Sequence, residues 1–140
     1  MEQSEKFRYK FAQLESALTG LKASLDIQLS IENDIVKDII KNGQVQKFEY
    51  TFELFWKLLK KFLLVFRGVD VNSPKLVLKE SFDSGLLDEK VFGILNDALI
   101  ARNSLSHIYN ENYFEKIHSR LPEYHQAMKH VYDVIAEEAK

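Results

Sequence analysis

A chain of 140 residues, 46% hydrophobic and 29% charged, has the make-up of one globular domain: long enough to bury a core and too apolar to stay disordered. With no cysteine, disulfides and thiolate metal sites are excluded, and no oxidising compartment is needed. The formal net charge is -2, from 19 basic and 21 acidic residues, so nucleic acid cannot be held by the global field and would need a local site.

The run Met1-Glu2-Gln3-Ser4-Glu5-Lys6 lacks a basic n-region and an apolar h-region, so no secretory signal is expected. No stretch approaches the ~20 apolar residues of a membrane span, and a cytoplasmic location is the expectation. Glycine (5) and proline (2) are scarce, and long segments carry a helical period. The fold expected is all-α: an antiparallel up-and-down bundle of four main helices with short extra helices, residues 1–140 forming a single domain.

In chain order, Phe7, Phe11, Leu14, Leu18, Leu21 and Leu25 recur three or four apart and give one apolar face through about Leu25. A looser stretch follows from Asp26 to Asn33. A short helix is predicted from Asp34 to Lys41, stopped or kinked at Asn42-Gly43. The strongest helix is predicted from Gln44 to Arg67, closed by Gly68. On it Phe48, Phe52, Phe55, Trp56, Leu58, Leu59, Phe62, Leu63, Val65 and Phe66 cover roughly half the circumference, more than the ~100° stripe of a simple core helix. Such an arc asks for burial on two sides, against the chain's own core and against another helix or another subunit. Glu49, Glu53, Lys57 and Lys60 form a narrow polar strip with Trp56 on its border.

Ser73-Pro74 reads as an N-cap and first-turn proline opening a short helix that ends at Gly85. Asp88 can cap the next helix, which carries Val91, Leu95, Ala98, Leu99 and Arg102. Phe114, Ile117, Leu121, Tyr124, Met128, Val131 and Ile135 then form an a/d seam. Pro122 predicts a kink or break within it, with the register kept.

Chemistry concentrates in Arg102-Asn103-Ser104-Leu105-Ser106-His107-Ile108-Tyr109, where a helix runs out into a loop. A cation suited to phosphate, a proton-transfer group and a phenol lie within one turn and a half. On a regular helix Asn103 and His107 are i,i+4 neighbours, so the amide could fix the imidazole tautomer. Arg102 lies roughly 140° from His107 on the 3.6-residue period, and reaches the same pocket only by its length or by unwinding of the last turn. Cleaving RNA through the 2′-hydroxyl needs a base, an acid and a positive clamp, and a two-fold dimer would supply two copies of each group. The plainer alternatives are a helix-terminal histidine favoured by the macrodipole, a surface ion pair for Arg102, and a solvated strip on the second helix. His118, His125 and His130 are spaced by seven and five, so none makes the i,i+4 pair of a helical zinc site. No metal or other cofactor is expected.

Arg102-x4-His107-x-Tyr109 resembles the Arg-x4-His-x-Tyr signature of HEPN proteins (higher eukaryote and prokaryote nucleotide-binding domains). Phe48-Glu49-Tyr50-Thr51-Phe52-Glu53-Leu54-Phe55-Trp56-Lys57 resembles the second-helix pattern of the nucleotidyltransferase substrate-binding protein family within that superfamily. Ser73-Pro74-Lys75 and the segment through Tyr109-Asn110-Glu111 fit the same family, and the likeness runs from about Phe7 to Ile135, with Ile31–Asn42 longer than the family needs. The resemblance implies a homodimeric helical bundle associated with a separately encoded minimal nucleotidyltransferase, with RNA or a nucleotide as ligand. In the toxin–antitoxin version it implies a metal-independent RNase in which Arg102 and His107 are catalytic, Asn103 supports the histidine and Tyr109 is the adenylylation target. Glu53, Trp56 and Lys57 would line the cleft. The other role it implies is passive: a nucleotide- or substrate-binding subunit of the transferase.

Overall fold

Polar side chains that satisfy the first free N–H groups set most helix starts. The Asn33, Ser73 and Asp88 side chains accept from the backbone N–H of Val36 (2.9 Å), Leu76 (3.2 Å) and Val91 (2.8 Å). Asn110 accepts from Asn112 and Tyr113. A computed structural model describes residues 2–107 and 110–140. Among the described residues there are six α-helices and no strand. They are α1 (Glu2–Leu25), α2 (Asp34–Phe62), α3 (Pro74–Asp83), α4 (Glu89–Leu105), α5 (Glu111–Ser119) and α6 (Leu121–Glu138). A 3-10 turn at Leu29–Ile31 precedes α2, and a π turn at Leu63–Arg67 ends it. Two helix exits need a left-handed residue and use glycine there, Gly68 (φ 69) and Gly85 (φ 84).

Side-chain contacts fix the directions of the long helices. Phe7 of α1 meets Phe62 and Phe66, while Gln44 at the other end donates to the Ser24 carbonyl (2.7 Å), so α1 and α2 run antiparallel. Phe11 stacks on Tyr132 at 4.4 Å and Leu18 meets His125, which sets α1 antiparallel to α6 as well. α2 and α6 are consequently parallel: Phe48 stacks on Tyr124 and Arg67 pairs with Glu138. α4 packs on α2 and α6, and the shorter α3 packs on α2 and α4.

The core is built around α2. Phe48, Phe52, Phe55, Leu58, Leu59, Phe62 and Leu63 are all fully buried. Most of its wide apolar arc is filled within one chain, by α1 and α6 together with α3 and α4, while Trp56 and Val65 are half-buried and Phe66 is 40% exposed. Of the two partners the arc allowed, other helices of the same chain cover most of it.

Two boundaries differ from the sequence expectation. Asn42-Gly43 neither stops nor kinks a helix; α2 runs unbroken from Asp34 to Phe62. Gly43 costs about 0.5–1 kcal/mol relative to alanine. Contacts on either side outweigh that: Lys41 pairs with Glu115 at 3.0 Å, Gln44 holds Ser24, and the Asn42 amide donates to the Asp38 carbonyl at 2.8 Å. Pro122 marks a true break, with α5 ending at Ser119 and α6 starting at Leu121. The seam nonetheless keeps register, since Ile117, Leu121, Tyr124, Met128, Val131 and Ile135 are all buried.

Candidate functional site

The polar strip of α2 faces the last turn of α4. There the Glu53 carboxylate accepts from three side chains. Arg102 donates to its Oε2, Trp56 Nε1 donates to the same oxygen at 3.1 Å, and Lys57 Nζ lies 3.2 Å from Oε1. Helical spacing makes this possible: Trp56 and Lys57 stand three and four residues beyond Glu53, on the neighbouring turn. Glu53, Trp56 and Lys57, which the sequence grouped on α2, thus form one cluster with Arg102, which it marked separately.

Electrostatics divide the two glutamates of the strip. Burial pushes the Glu53 carboxyl up, but hydrogen bonds from Trp56 and Lys57 and the charges of Arg102 and Lys57 outweigh it and hold it below the ordinary 4.5. Glu49, one turn earlier, goes the other way: burial raises it, and the Arg102 charge only partly offsets that. Periodicity gave no reason to separate Glu49 from Glu53. Their different partners do.

The histidine end of the motif is arranged otherwise. α4 stops at Leu105, and the His107 N–H donates to the Ser104 carbonyl at 2.9 Å in the following turn. His107 is exposed there. Because the helix has ended, the i,i+4 geometry expected of Asn103 and His107 is not formed. Asn103 is exposed and its carbonyl accepts from Ser106 Oγ. Tyr113 of α5 reaches back to Ser104 Oγ (3.4 Å), tying the return of the loop to the end of α4. Tyr109 lies outside the described residues. Arg102 is joined to the α2 cluster, and His107 is not.

His118 and His125 serve packing, while His130 is exposed. His118 Nε2 lies 2.6 Å from Gln44 Oε1, and His125 Nε2 lies 3.1 Å from the Leu18 carbonyl, which can only accept, so that nitrogen carries the proton. Among the described residues no group of three or more His, Asp or Glu side chains is placed to hold a metal ion, and no helix is long and apolar enough to cross a membrane.

An all-helical fold with a carboxylate-centred cationic cluster between α2 and α4 defines a class rather than a protein. Residues 9–137 match the family described as nucleotidyltransferase substrate binding protein like, and the chain belongs to that family. The fold is similar to the crystal structure of ttk003001694 from Thermus thermophilus, at 31% identity and a TM-score of 0.77, covering 87% of this chain and 98% of that one. No curated protein matches the chain.

Proposed function

We propose that this chain is the helical subunit of a two-protein nucleotidyltransferase module of the HEPN type, and that the end of α4 is a metal-independent ribonucleolytic centre. The observation that carries the proposal is the Arg102-x4-His107-x-Tyr109 motif at a helix terminus, with Arg102 held by Glu53 and His107 exposed beyond the last turn. Membership of the family supports the transferase partner. In this reading His107 accepts the proton of a 2′-hydroxyl, whose oxygen bonds to phosphorus. The bond to the 5′-oxygen breaks, and that oxygen takes a proton from the His107 of a second copy. Products are a 2′,3′-cyclic phosphate and a 5′-hydroxyl. Glu53 occupies one edge of the guanidinium, and the remaining N–H donors of Arg102 stabilise the charge on the phosphorane. The homodimer supplies both acid and base. Tyr109 is the acceptor through which the transferase silences the site: its phenol oxygen bonds to the α-phosphorus of ATP and pyrophosphate leaves.

The test is RNA cleavage by the purified protein in EDTA, wild type beside His107→Ala. Cleavage by the wild type alone, leaving cyclic phosphate ends, is the expected result. A folded wild-type protein that leaves every RNA intact overturns the reading.

One observation favours a second reading, a non-enzymatic nucleotide- or substrate-binding subunit. Arg102, Trp56 and Lys57 already share Glu53 within one chain, and His107 stands apart from them. That reading predicts nucleotide binding that survives His107→Ala and is lost in Arg102→Ala.

A further inference from the structure

Arg102 turns toward α2, and Asp97 lies roughly 140° round α4 from it on the 3.6-residue period. Asp97, Ile100, Ala101 and Ser104 share that other face of the helix, and Tyr113, Lys116 and Arg120 recur three and four apart along α5 and its end. Where the two stripes meet there is a cavity of about 200 Å³, with Ile100, Ala101 and Ile117 as its apolar wall. Its volume is that of about seven waters at ~30 Å³ each, room for one six-membered ring and its substituents.

Tyr124, in the first turn of α6, also lines this cavity. It is 2% exposed, and its ring is held by stacking on Phe48 at 5.4 Å and by the Arg120 guanidinium, 5.2 Å from its centroid. Among the described residues its hydroxyl has no hydrogen-bond partner, whereas Tyr132 donates to Glu15 (2.5 Å) and Tyr113 to Ser104 (3.4 Å). No enclosed side-chain nitrogen or oxygen among those residues goes without a partner, so the Tyr124 oxygen opens on the cavity. Burial pushes this phenol above its ordinary 10, and it stays a donor at neutral pH. The Lys116 ammonium likewise has no ion-pair partner among the described residues. Arg120 is taken up by Asp97 and Glu123 and serves as wall. Its pair with Asp97 uses Oδ2 and leaves Oδ1 as an acceptor.

Ser104 ties the cavity to the motif. Its hydroxyl accepts from Tyr113 on the rim, and its carbonyl accepts from the His107 N–H at 2.9 Å. We propose that the cavity receives the uracil base of a nucleotide whose phosphate is handled at the Arg102–His107 end of α4. The pairing edge of uracil carries two carbonyl acceptors and one N–H donor, the complement of the Tyr124 hydroxyl, the Lys116 ammonium and the free Asp97 oxygen. Cytosine puts an amino donor where one of those carbonyls stands and leaves a cavity donor unpaired. Adenine brings a second ring into a space sized for one. The ligand class rests on the proposed handling of RNA or nucleotides at this helix end; the unpartnered buried hydroxyl does not.

The experiment follows the Ile100 and Ile117 methyl signals of the full chain by NMR as uridine, cytidine and adenosine monophosphates are added. Uridine monophosphate should move both signals to saturation, and the other two should bind about fivefold more weakly or less well still. Tyr124→Phe removes a hydroxyl that bonds to nothing in the fold, so the urea midpoint should hold while uridine affinity falls about fivefold. Lys116→Gln, on the surface, should cost a similar factor. Signals that stay still with every nucleotide, uridine affinity unmoved by Tyr124→Phe, or equal affinity for all the bases overturns the proposal. The two readings fail separately. Cleavage of oligouridylate and oligoadenylate alike in EDTA, unaffected by Tyr124→Phe, sinks the base pocket and spares the ribonuclease. Tyr124-dependent uridine binding without cleavage of any RNA does the reverse.

Discussion

The two faces of α2 make opposite use of the same helix. On one, Phe48, Phe52, Phe55 and Phe62 are fully buried and each touches at least one other aromatic ring. On the other, Glu49, Glu53 and Trp56 are half-buried, Lys57 is exposed, and Glu53 and Arg102 keep side-chain exposures of 31% and 29%. The apolar face gains stability by removing area from water, a non-directional effect that tolerates no loss of volume. The polar face gains little from ion pairs that water can reach. What it holds instead is the relative position of one carboxylate, one indole and two cations. Stability and site geometry thus lie on adjacent strips, and mutations should separate them.

The largest separation should come from Phe52→Ala. It removes a ring with no accessible surface and leaves a cavity at the centre of the bundle, for an expected loss of about 3–5 kcal/mol in urea unfolding. A loss under about 1 kcal/mol would mean that the α2 core can collapse around the void, and the contrast between faces would fail.

Two histidines, His125 buried and His118 half-buried, give the next effect. Burial lowers both His118 and His125 from their ordinary 6.5; Lys41 adds to the shift of His118, and Lys22 and Lys129 add to that of His125, whose hydrogen bond to Leu18 opposes it. The folded state therefore binds fewer protons than the unfolded state just below 6.5. Their stabilising contribution is complete above the unfolded value and is lost as pH falls through the lower folded values. Urea midpoints taken downward from about pH 7.5 should decline below about 6.5, and His125→Phe should flatten part of that decline. A midpoint that rises on acidification in this window would contradict the assignment.

Gly43→Ala should act in the opposite direction. A Cβ at Gly43 meets nothing within 4 Å, and the residue lies inside a continuous helix, so thermal unfolding should show a gain of about 0.5–1 kcal/mol. A loss would mean that the helix needs local give at this point.

Gly43 also shows what the sequence could not disclose. Periodicity located the long helices except that it divided α2 at Asn42-Gly43, and the caps Ser73 and Asp88 located the starts at Pro74 and Glu89. The Asn42-Gly43 pair carries a local stop signal, and only the contacts of Lys41 with α5 and of Gln44 with α1 override it. Those contacts join residues distant in sequence. The wide arc of α2 was equally visible, but whether a helix or a subunit filled it was not. Among site residues, the i,i+4 logic of Glu53 and Lys57 was legible because it is local. The meeting of Glu53 with Arg102, 49 residues apart, was not, and the loss of the Asn103–His107 geometry depends on α4 ending at Leu105.

The smallest expected stability effect carries the most functional weight. Glu53→Gln keeps the shape of the side chain and an oxygen for the Trp56 indole, and removes the charge between Arg102 and Lys57. Both partners are partly exposed, so a double-mutant cycle with Arg102→Gln should show a coupling of only about 0.2–1 kcal/mol. The Glu53 carboxyl is held below 4.5, so whatever coupling exists should survive across neutral pH and disappear only as pH falls through that lower value. RNA cleavage or nucleotide binding, whichever the protein performs, should respond far more strongly, because an unpaired Arg102 is free to leave the position that Glu53 gives it. If Glu53→Gln instead destabilises the protein as much as Phe52→Ala while leaving function intact, the polar strip is structural, and the division between the two faces of α2 collapses.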